Sequence, residues 1–353
     1  MAIWDAKKIC PEAIYVKRDF QWYGEISHRL QDIFGSFTDK VEYYSVDESF
    51  LDLTNFKRYY DNSYQKLAEN IKKKVKQEVG IPVSVGVSLT RTLSKLAAKQ
   101  SKPDGALAIG PSELKEFLKE CPVEDLSGVG RKNAIKLHKY DIYTCLEFAK
   151  IPHRFIKRLL YKPGEEIWYE LHGKKILPIV TERPERKAVG RGGSIGKAAS
   201  DRNIIYANLI RNLERLTEAL FKYRLETNCL AVILQDTNMH FYSNKAHLPD
   251  YSSDFHSFLL PMRETFAKIY SRFTKYRATH LLATPVKNIN TKQLNLFYKK
   301  DPKKDKLREI QRQINEKHGR FTLRSGSTLH IPDTYNDIHN DHDICDIEGK
   351  ICF

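Results

Sequence analysis

No apolar run in the 353-residue chain approaches the ~18 residues that cross a bilayer as a helix, so no membrane span is expected. The opening MAIWDAKKICPEA lacks the basic start and apolar stretch of a secretion signal, which predicts a cytoplasmic protein. Cysteine is sparse: Cys10, Cys121, Cys145, Cys229, Cys345 and Cys352 include no CxxC pair, so a structural zinc site is not expected. Reduced thiols fit this usage, although Cys345 and Cys352 lie close enough to be read as a redox pair. Acidic residues are also in short supply, 44 against 59 lysines and arginines, leaving a net charge of +15. A basic surface draws polyanions, chiefly nucleic acid, but a soluble protein can be basic for other reasons.

The chain is long for one compact domain, and about two to four are expected. Residues 1–16 read as the end of a helix and a short strand. GEISHRLQDIFGSF (24–37) spaces Ile26, Leu30, Ile33 and Phe34 as a helix does. KVEYYSV and SFLDLT read as strands, SYQKLAENIKKKVKQEVG (63–80) as an amphipathic helix closed by Gly80, and IPVSVGVSL (81–89) as an apolar strand. TRTLSKLAAKQSKPDG (90–105) starts on a Thr cap and stops before Pro103. The alternation predicts one mixed sheet covered by helices. Short helices broken by Gly and Pro follow over 111–180, then the polar linker 181–187. Residues 188–287 have the order β-α-β-β-α-β, and 288–353 is a polar, lysine-rich tail with a helix over 303–318.

Four stretches carry chemistry. YYSVDESFLDLT (43–54) sets Asp47 and Glu48 side by side between strand-like runs. In a regular strand they would face opposite ways; at a hairpin turn both can face one pocket. Clustered carboxylates repel, and a bound Mg²⁺ relieves that repulsion with the hard oxygen ligands it prefers. The competing reading is a solvated hairpin tip. Arg91, Lys95 and Lys99 recur at helical spacing, with Lys102 beyond them, and can meet a triphosphate or a DNA backbone, or be an ordinary solvated face. In LSGVGRKNAIKL (126–137), Gly128 and Gly130 allow a phosphate close to the backbone at a helix N-terminus, beside Arg131 and Lys132; a plain interhelical turn is the alternative. QLNLF (293–297) is an isolated apolar peptide in a polar tail, readable as a docking plug or as a strand folded back on the body.

Together these stretches resemble the Y-family of translesion DNA polymerases, and most of all its bacterial UmuC branch. YSVDESFLDLT resembles the family's catalytic motif, and SVGVSLTRTLSKLAAKQSKPDG its strand-helix segment ending Lys-Pro-Asp/Asn-Gly. LSGVGRKNAIKL resembles its thumb helix-hairpin-helix, and 188–287 its little finger. QLNLF is similar to a sliding-clamp-binding pentapeptide, and the closing DICDIEGKICF to the ends of UmuC-type chains.

The resemblance implies an α+β, multidomain right-hand polymerase. Its parts would be a fingers remnant (1–16), a partial palm (17–110), a helical thumb (111–180) with the helix-hairpin-helix, a β-α-β-β-α-β little finger (188–287) and a tail with the clamp peptide (288–353). It implies error-prone, template-directed nucleotidyl transfer with two Mg²⁺ ions on Asp47 and Glu48, and Lys102 with Arg91 on the incoming triphosphate. DNA would be held by Gly128, Gly130, Arg131, Lys132, Arg191 and Arg202, and the clamp by Gln293, Leu294, Leu296 and Phe297. The implied partners are primer-template DNA, deoxynucleoside triphosphates, the bacterial sliding clamp and a UmuD′-like accessory subunit, at the nucleoid, in an SOS-type damage response. The family's opening Asp-x-Asn/Asp-x-Phe-Phe/Tyr strand, with a third metal-binding aspartate, has no counterpart in this sequence, and Asp5 stands in a helical context. The expectation is weak or absent activity for the chain as it stands. The rival reading is a non-catalytic module that binds DNA and the clamp.

Overall fold

The computed structural model describes residues 3–16, 19–182, 185–291, 302–319 and 321–331. The chain divides between Arg183 and Pro184 into two compact units.

The first unit opens with α1 (Ile3–Ile9), which includes Asp5 and buries no residue. The strand expected within 1–16 is not formed among the described residues. α2 (Phe20–Gly35) starts where the Asp19 carboxylate accepts from the Trp22 amide. The hairpin strands β1 (Val41–Ser45) and β2 (Glu48–Leu51) follow, then α3 (Tyr64–Val79). Ser63 caps α3, and Gly80 closes it at φ +82°. Leu67, Ile71 and Val75, four residues apart, form one stripe that packs on Leu30, Ile33 and Phe37 of the α2 region. Each such buried side chain contributes about 1.5–3 kcal/mol.

The strand expected over 81–89 contracts to β3 (Val85–Val87), parallel to β4 (Ala106–Ala108). Pro82 has no N–H to donate to a ladder, so the run cannot pair along its whole length. Between the two strands lies α4 (Arg91–Gln100), capped by Thr90. It crosses so close to β3 that a Cβ on Gly86 would lie 2.1 Å from the Ser94 carbonyl oxygen. The β1–β2 and β3–β4 ribbons are separate two-stranded sheets, which corrects the expected single mixed sheet among the described residues.

Short helices complete this unit: α5 (Leu114–Glu120), α6 (Arg131–His138), α7 (Cys145–Lys150) and α8 (His153–Leu171). α8 breaks at Tyr161 (φ 60°, ψ −156°), two residues before Pro163, because proline cannot continue a preceding helical turn. Leu118, Leu137, Phe148, Ile156 and Leu171 form a second core, which Leu93 and Leu96 of α4 enter. Leu93 and Leu96 precede residue 110, so the helical core draws on residues from both sides of the expected 110/111 boundary. Cys121 and Cys145 lie in this core; burial pushes the Cys121 thiol up to about 11 and Cys145 higher, so neither is a nucleophile at neutral pH.

The second unit runs β5 (Val189–Ala199), α9 (Arg202–Lys222), β6 (Leu225–Asp236), β7 (Phe241–Ser252), α10 (Phe255–Ile269) and β8 (Tyr276–Ala283). Its antiparallel sheet has the order β5-β8-β6-β7, and a short β9 (Val286–Asn288) adds to β6. Alternate residues of β6 and β8, among them Leu230, Val232, Leu234 and Leu281, pack on Leu209, Leu213 and Leu216 of α9 and Phe258, Met262 and Phe266 of α10. The fully buried Asn212 fastens α9 to β8 by donating to the Thr279 carbonyl (3.1 Å) and hydroxyl (2.9 Å).

After β9 the chain is not simply an open tail. α11 (Pro302–His318) sets Arg312 over the Phe221 ring, the Ser325 amide donates to Glu214 of α9 (2.6 Å), and Thr328 and Ile331 are buried. The predicted docking peptide, Gln293, Leu294, Leu296 and Phe297, and the cysteines Cys345 and Cys352 lie outside the described residues.

Candidate active site

Asp47 and Glu48 sit where the hairpin geometry places them. Ser45 pairs with Glu48 across β1 and β2, leaving Val46 and Asp47 as the turn. An irregularity in register between Tyr43 and Ser45 breaks strict alternation just before it. The turn is held from behind by α2. The buried Ser27 hydroxyl donates to the Val46 carbonyl (2.7 Å) and lies 2.6 Å from the Tyr43 hydroxyl. Gln31, one helical turn on, donates to the Ser49 hydroxyl (2.7 Å). The Asp47 carboxylate is exposed and accepts from the Ser45 hydroxyl. Glu48 is half-buried, and its Oε2 lies 2.9 Å from the Lys95 ammonium.

α4 explains that contact. Its apolar residues Leu93 and Leu96 enter the helical core, and its cations meet acids from three other elements. Arg91 pairs with Glu42 of β1 (2.8 Å), Lys95 with Glu48 of β2, and Lys99 with Asp125 (2.8 Å). The predicted basic row is thus largely committed to internal ion pairs. Arg91 in particular is turned inward, its guanidinium mostly buried against Glu42. Its guanidinium stacks over Phe50 (4.4 Å to the ring centre) and also donates to the Pro178 carbonyl (2.8 Å).

Lys102, by contrast, is exposed and has no ion-pair partner among the described residues. The loop that presents it is fastened by its neighbour Asp104. Lys76 (3.2 Å) and Lys72 (3.4 Å) reach the Asp104 carboxylate, and Lys76 first among them holds it below the usual carboxylate range. Lys72 also donates to the Asp104 carbonyl.

The segment 176–180 is tied to this region by two buried carboxylates that the sequence reading missed. Glu170, fully buried, accepts at Oε2 from the Thr92 amide (3.0 Å), and at Oε1 from the Ile176 (2.9 Å) and Leu177 (3.0 Å) amides. Thr92 is the second residue of α4, where free amides and the helix dipole favour a negative charge. Glu42 takes the Val180 amide (2.9 Å) on its second oxygen.

The predicted phosphate turn is well formed. Gly128 has φ +97°, a conformation that favours glycine, and Val129 beneath it is buried. Gly130 caps α6 without a side-chain hydrogen bond, so the first amides of the helix are uncovered. Arg131 and Lys132 are exposed, with no ion pair among the described residues. Of the two cations expected to bind DNA from the second unit, Arg202 is exposed at the start of α9. Arg191 is 5% exposed and donates to the Gly190 carbonyl (2.9 Å), so it does not offer its charge to solvent.

Asp47 and Glu48 are a hard-oxygen pair of the kind that suits Mg²⁺, with water and phosphate oxygens completing the sphere. Among the described residues, no group of three or more His, Cys, Asp or Glu gathers at any site, and no helix is long and apolar enough to cross a membrane.

Known proteins bear on this geometry. The impB/mucB/samB family pattern matches residues 1–99. DNA polymerase IV of Streptococcus agalactiae is 28% identical over 71% of this chain and 68% of its own length. DNA polymerase IV 1 of Bacillus subtilis is 26% identical over 93% and 80% respectively. Among solved structures, a chimera of the Y-family DNA polymerases Dbh and Dpo4 superposes with a TM-score of 0.67 at 23% identity, covering 82% of this chain and 83% of that one. The hairpin, the strand-helix segment behind it and the fold agree with these likenesses: the chain resembles the Y-family DNA polymerases in sequence and shares their fold.

Proposed function

We propose that the protein is a DNA-directed DNA polymerase of the type that extends primers across damaged template positions, with no more than trace extension by the 353-residue chain itself. The observation that carries this reading is the braced hairpin turn, which brings Asp47 and Glu48 together in a chain with the Y-family fold. Asp47 would touch both metal ions and Glu48 the one nearer the primer end. Bound there, two Mg²⁺ ions would activate the primer hydroxyl and neutralise the triphosphate and departing pyrophosphate. Ser27 and Gln31 keep the turn in register, so the carboxylates are preorganised. Lys102, on its Asp104-fastened loop, reaches for the triphosphate. Arg91 instead keeps α4 seated on β1.

In this reading α5–α8 form the thumb and β5–β8 with α9 and α10 the little finger. Primer-template DNA is gripped through its phosphates by the amides and Gly residues at 128–130 and by Arg131, Lys132 and Arg202. Affinity should fall steeply with salt and depend little on sequence. Replacing both Arg131 and Lys132 by alanine is expected to lower the slope of log affinity against log salt by about two. Fluorescence anisotropy across a salt series measures this; a salt-independent affinity would remove the phosphate grip.

Gln293, Leu294, Leu296 and Phe297 are proposed to dock on the bacterial sliding clamp, with the two last side chains as apolar anchors worth about 1.5–3 kcal/mol each if fully buried. A pull-down with purified clamp should lose the Leu296→Ala/Phe297→Ala variant; equal capture of both proteins would defeat the docking. An SOS-type role with a UmuD′-like subunit belongs to the same proposal. The second reading, a DNA- and clamp-binding module without chemistry, is favoured by the absence of a third carboxylate beside Asp47 and Glu48 among the described residues. DNA binding without Mg²⁺-dependent extension would select it.

A further inference from the structure

The two hairpin carboxylates are not equivalent, and α4 makes the difference. Asp47 takes only a hydroxyl hydrogen bond, from Ser45. Glu48 already has a cation: the Lys95 ammonium, 2.9 Å from Oε2 and 4.6 Å from the centre of the Tyr44 ring. Lys95 cannot drift far, because Leu93 and Leu96 on the same helix are buried in the helical core and Arg91 is locked to Glu42 one turn earlier. The pair of acids plus this ammonium carries one net negative charge rather than two. A divalent ion arriving alone must compete with Lys95 for a Glu48 oxygen and approach a like charge at close range.

We propose that Lys95 is a positioning residue for Glu48 that also gates metal loading. It stands in for the cation while no nucleotide is bound, holds the Glu48 side chain in place, and makes metal binding favourable mainly when a triphosphate brings negative charge to offset the ammonium. Metal and nucleotide then load together. This rests on the reading above, in which Asp47 and Glu48 hold divalent ions, and it assigns to Lys95 a task separate from that of Lys102.

Titration of the 353-residue chain with Mn²⁺, followed by electron paramagnetic resonance with and without a non-hydrolysable deoxynucleoside triphosphate, tests it. Lys95→Met keeps the aliphatic stem and removes the charge; it is expected to bind Mn²⁺ about tenfold more tightly than wild type when nucleotide is absent. Nucleotide should then tighten Mn²⁺ binding much less in the variant than in wild type, and Lys95→Arg should behave as wild type. Thermal melting of each variant separates these effects from loss of the fold. In the unmodified chain, a Mn²⁺ affinity that nucleotide does not change overturns the proposal without any variant. Equal Mn²⁺ binding by wild type and Lys95→Met overturns it and leaves the carboxylate-pair reading standing. No Mn²⁺ bound by either protein overturns both.

Discussion

Primer extension by the 353-residue chain in Mg²⁺ is expected at no more than a trace, and Asp47→Ala is expected to remove the trace. Two-metal phosphoryl transfer needs both ions held in line with the attacking and leaving oxygens. Asp47 and Glu48 are two carboxylates on one turn, one of them shared with Lys95, and no third acid joins them among the described residues. If these two carboxylates alone hold the ions, the lost ligand costs about 4 kcal/mol of transition-state stabilisation, close to a thousandfold in rate. The measurement is single-turnover extension of a labelled primer, wild type beside Asp47→Ala. Brisk Mg²⁺-dependent extension that Asp47→Ala abolishes would show that another group completes the metal sphere and would end the module reading.

Glu170→Ala is expected to destabilise the first unit by about 3–5 kcal/mol, as much as truncating a fully buried core side chain. The substitution strands three inward-facing amides, those of Thr92, Ile176 and Leu177, and a buried donor left without a partner costs ~1–3 kcal/mol. It also removes a negative charge from the N-terminus of α4. Glu170→Gln should cost less but still measurably, because its amide presents N–H to a donor on one side. Urea unfolding of the two variants against wild type reads the difference. A loss below about 1 kcal/mol for Glu170→Ala would mean that water replaces the carboxylate, and the strap at 176–180 would not be fastened as described.

These two results concern different levels of legibility. The hairpin that carries Asp47 and Glu48 was readable because every signal for it is local: apolar, aromatic-rich runs on both sides, a short polar interruption, and a turn that frees two adjacent acids from strict alternation. Thr90 as a helix cap and Gly80 as a helix stop were readable for the same reason, as was the order of strands and helices over 188–287. Pro82 in the 81–89 run was the available signal that this strand would be short. The partners of α4 had no such signal. Arg91, Lys95 and Lys99 fall on one helical stripe in the sequence, but their acids lie far along the chain, 49 residues away for Glu42 and 47 for Glu48.

The chain's own residue pattern therefore determined most of the helices and turns, the hairpin where the two acids meet, and a basic charge balance open to a polyanion. Only the tertiary structure decided which cations remain for that polyanion. Arg91, Lys95, Lys99 and Arg191 are drawn into partnerships inside the protein, while Lys102, Arg131, Lys132 and Arg202 stay exposed. The physical reason is that secondary structure follows from neighbours three or four positions apart, whereas an ion pair forms wherever packing of apolar faces happens to bring opposite charges within reach. Here, burying Leu93 and Leu96 fixes α4 in place, and that placement commits its opposite face to Glu42, Glu48 and Asp125.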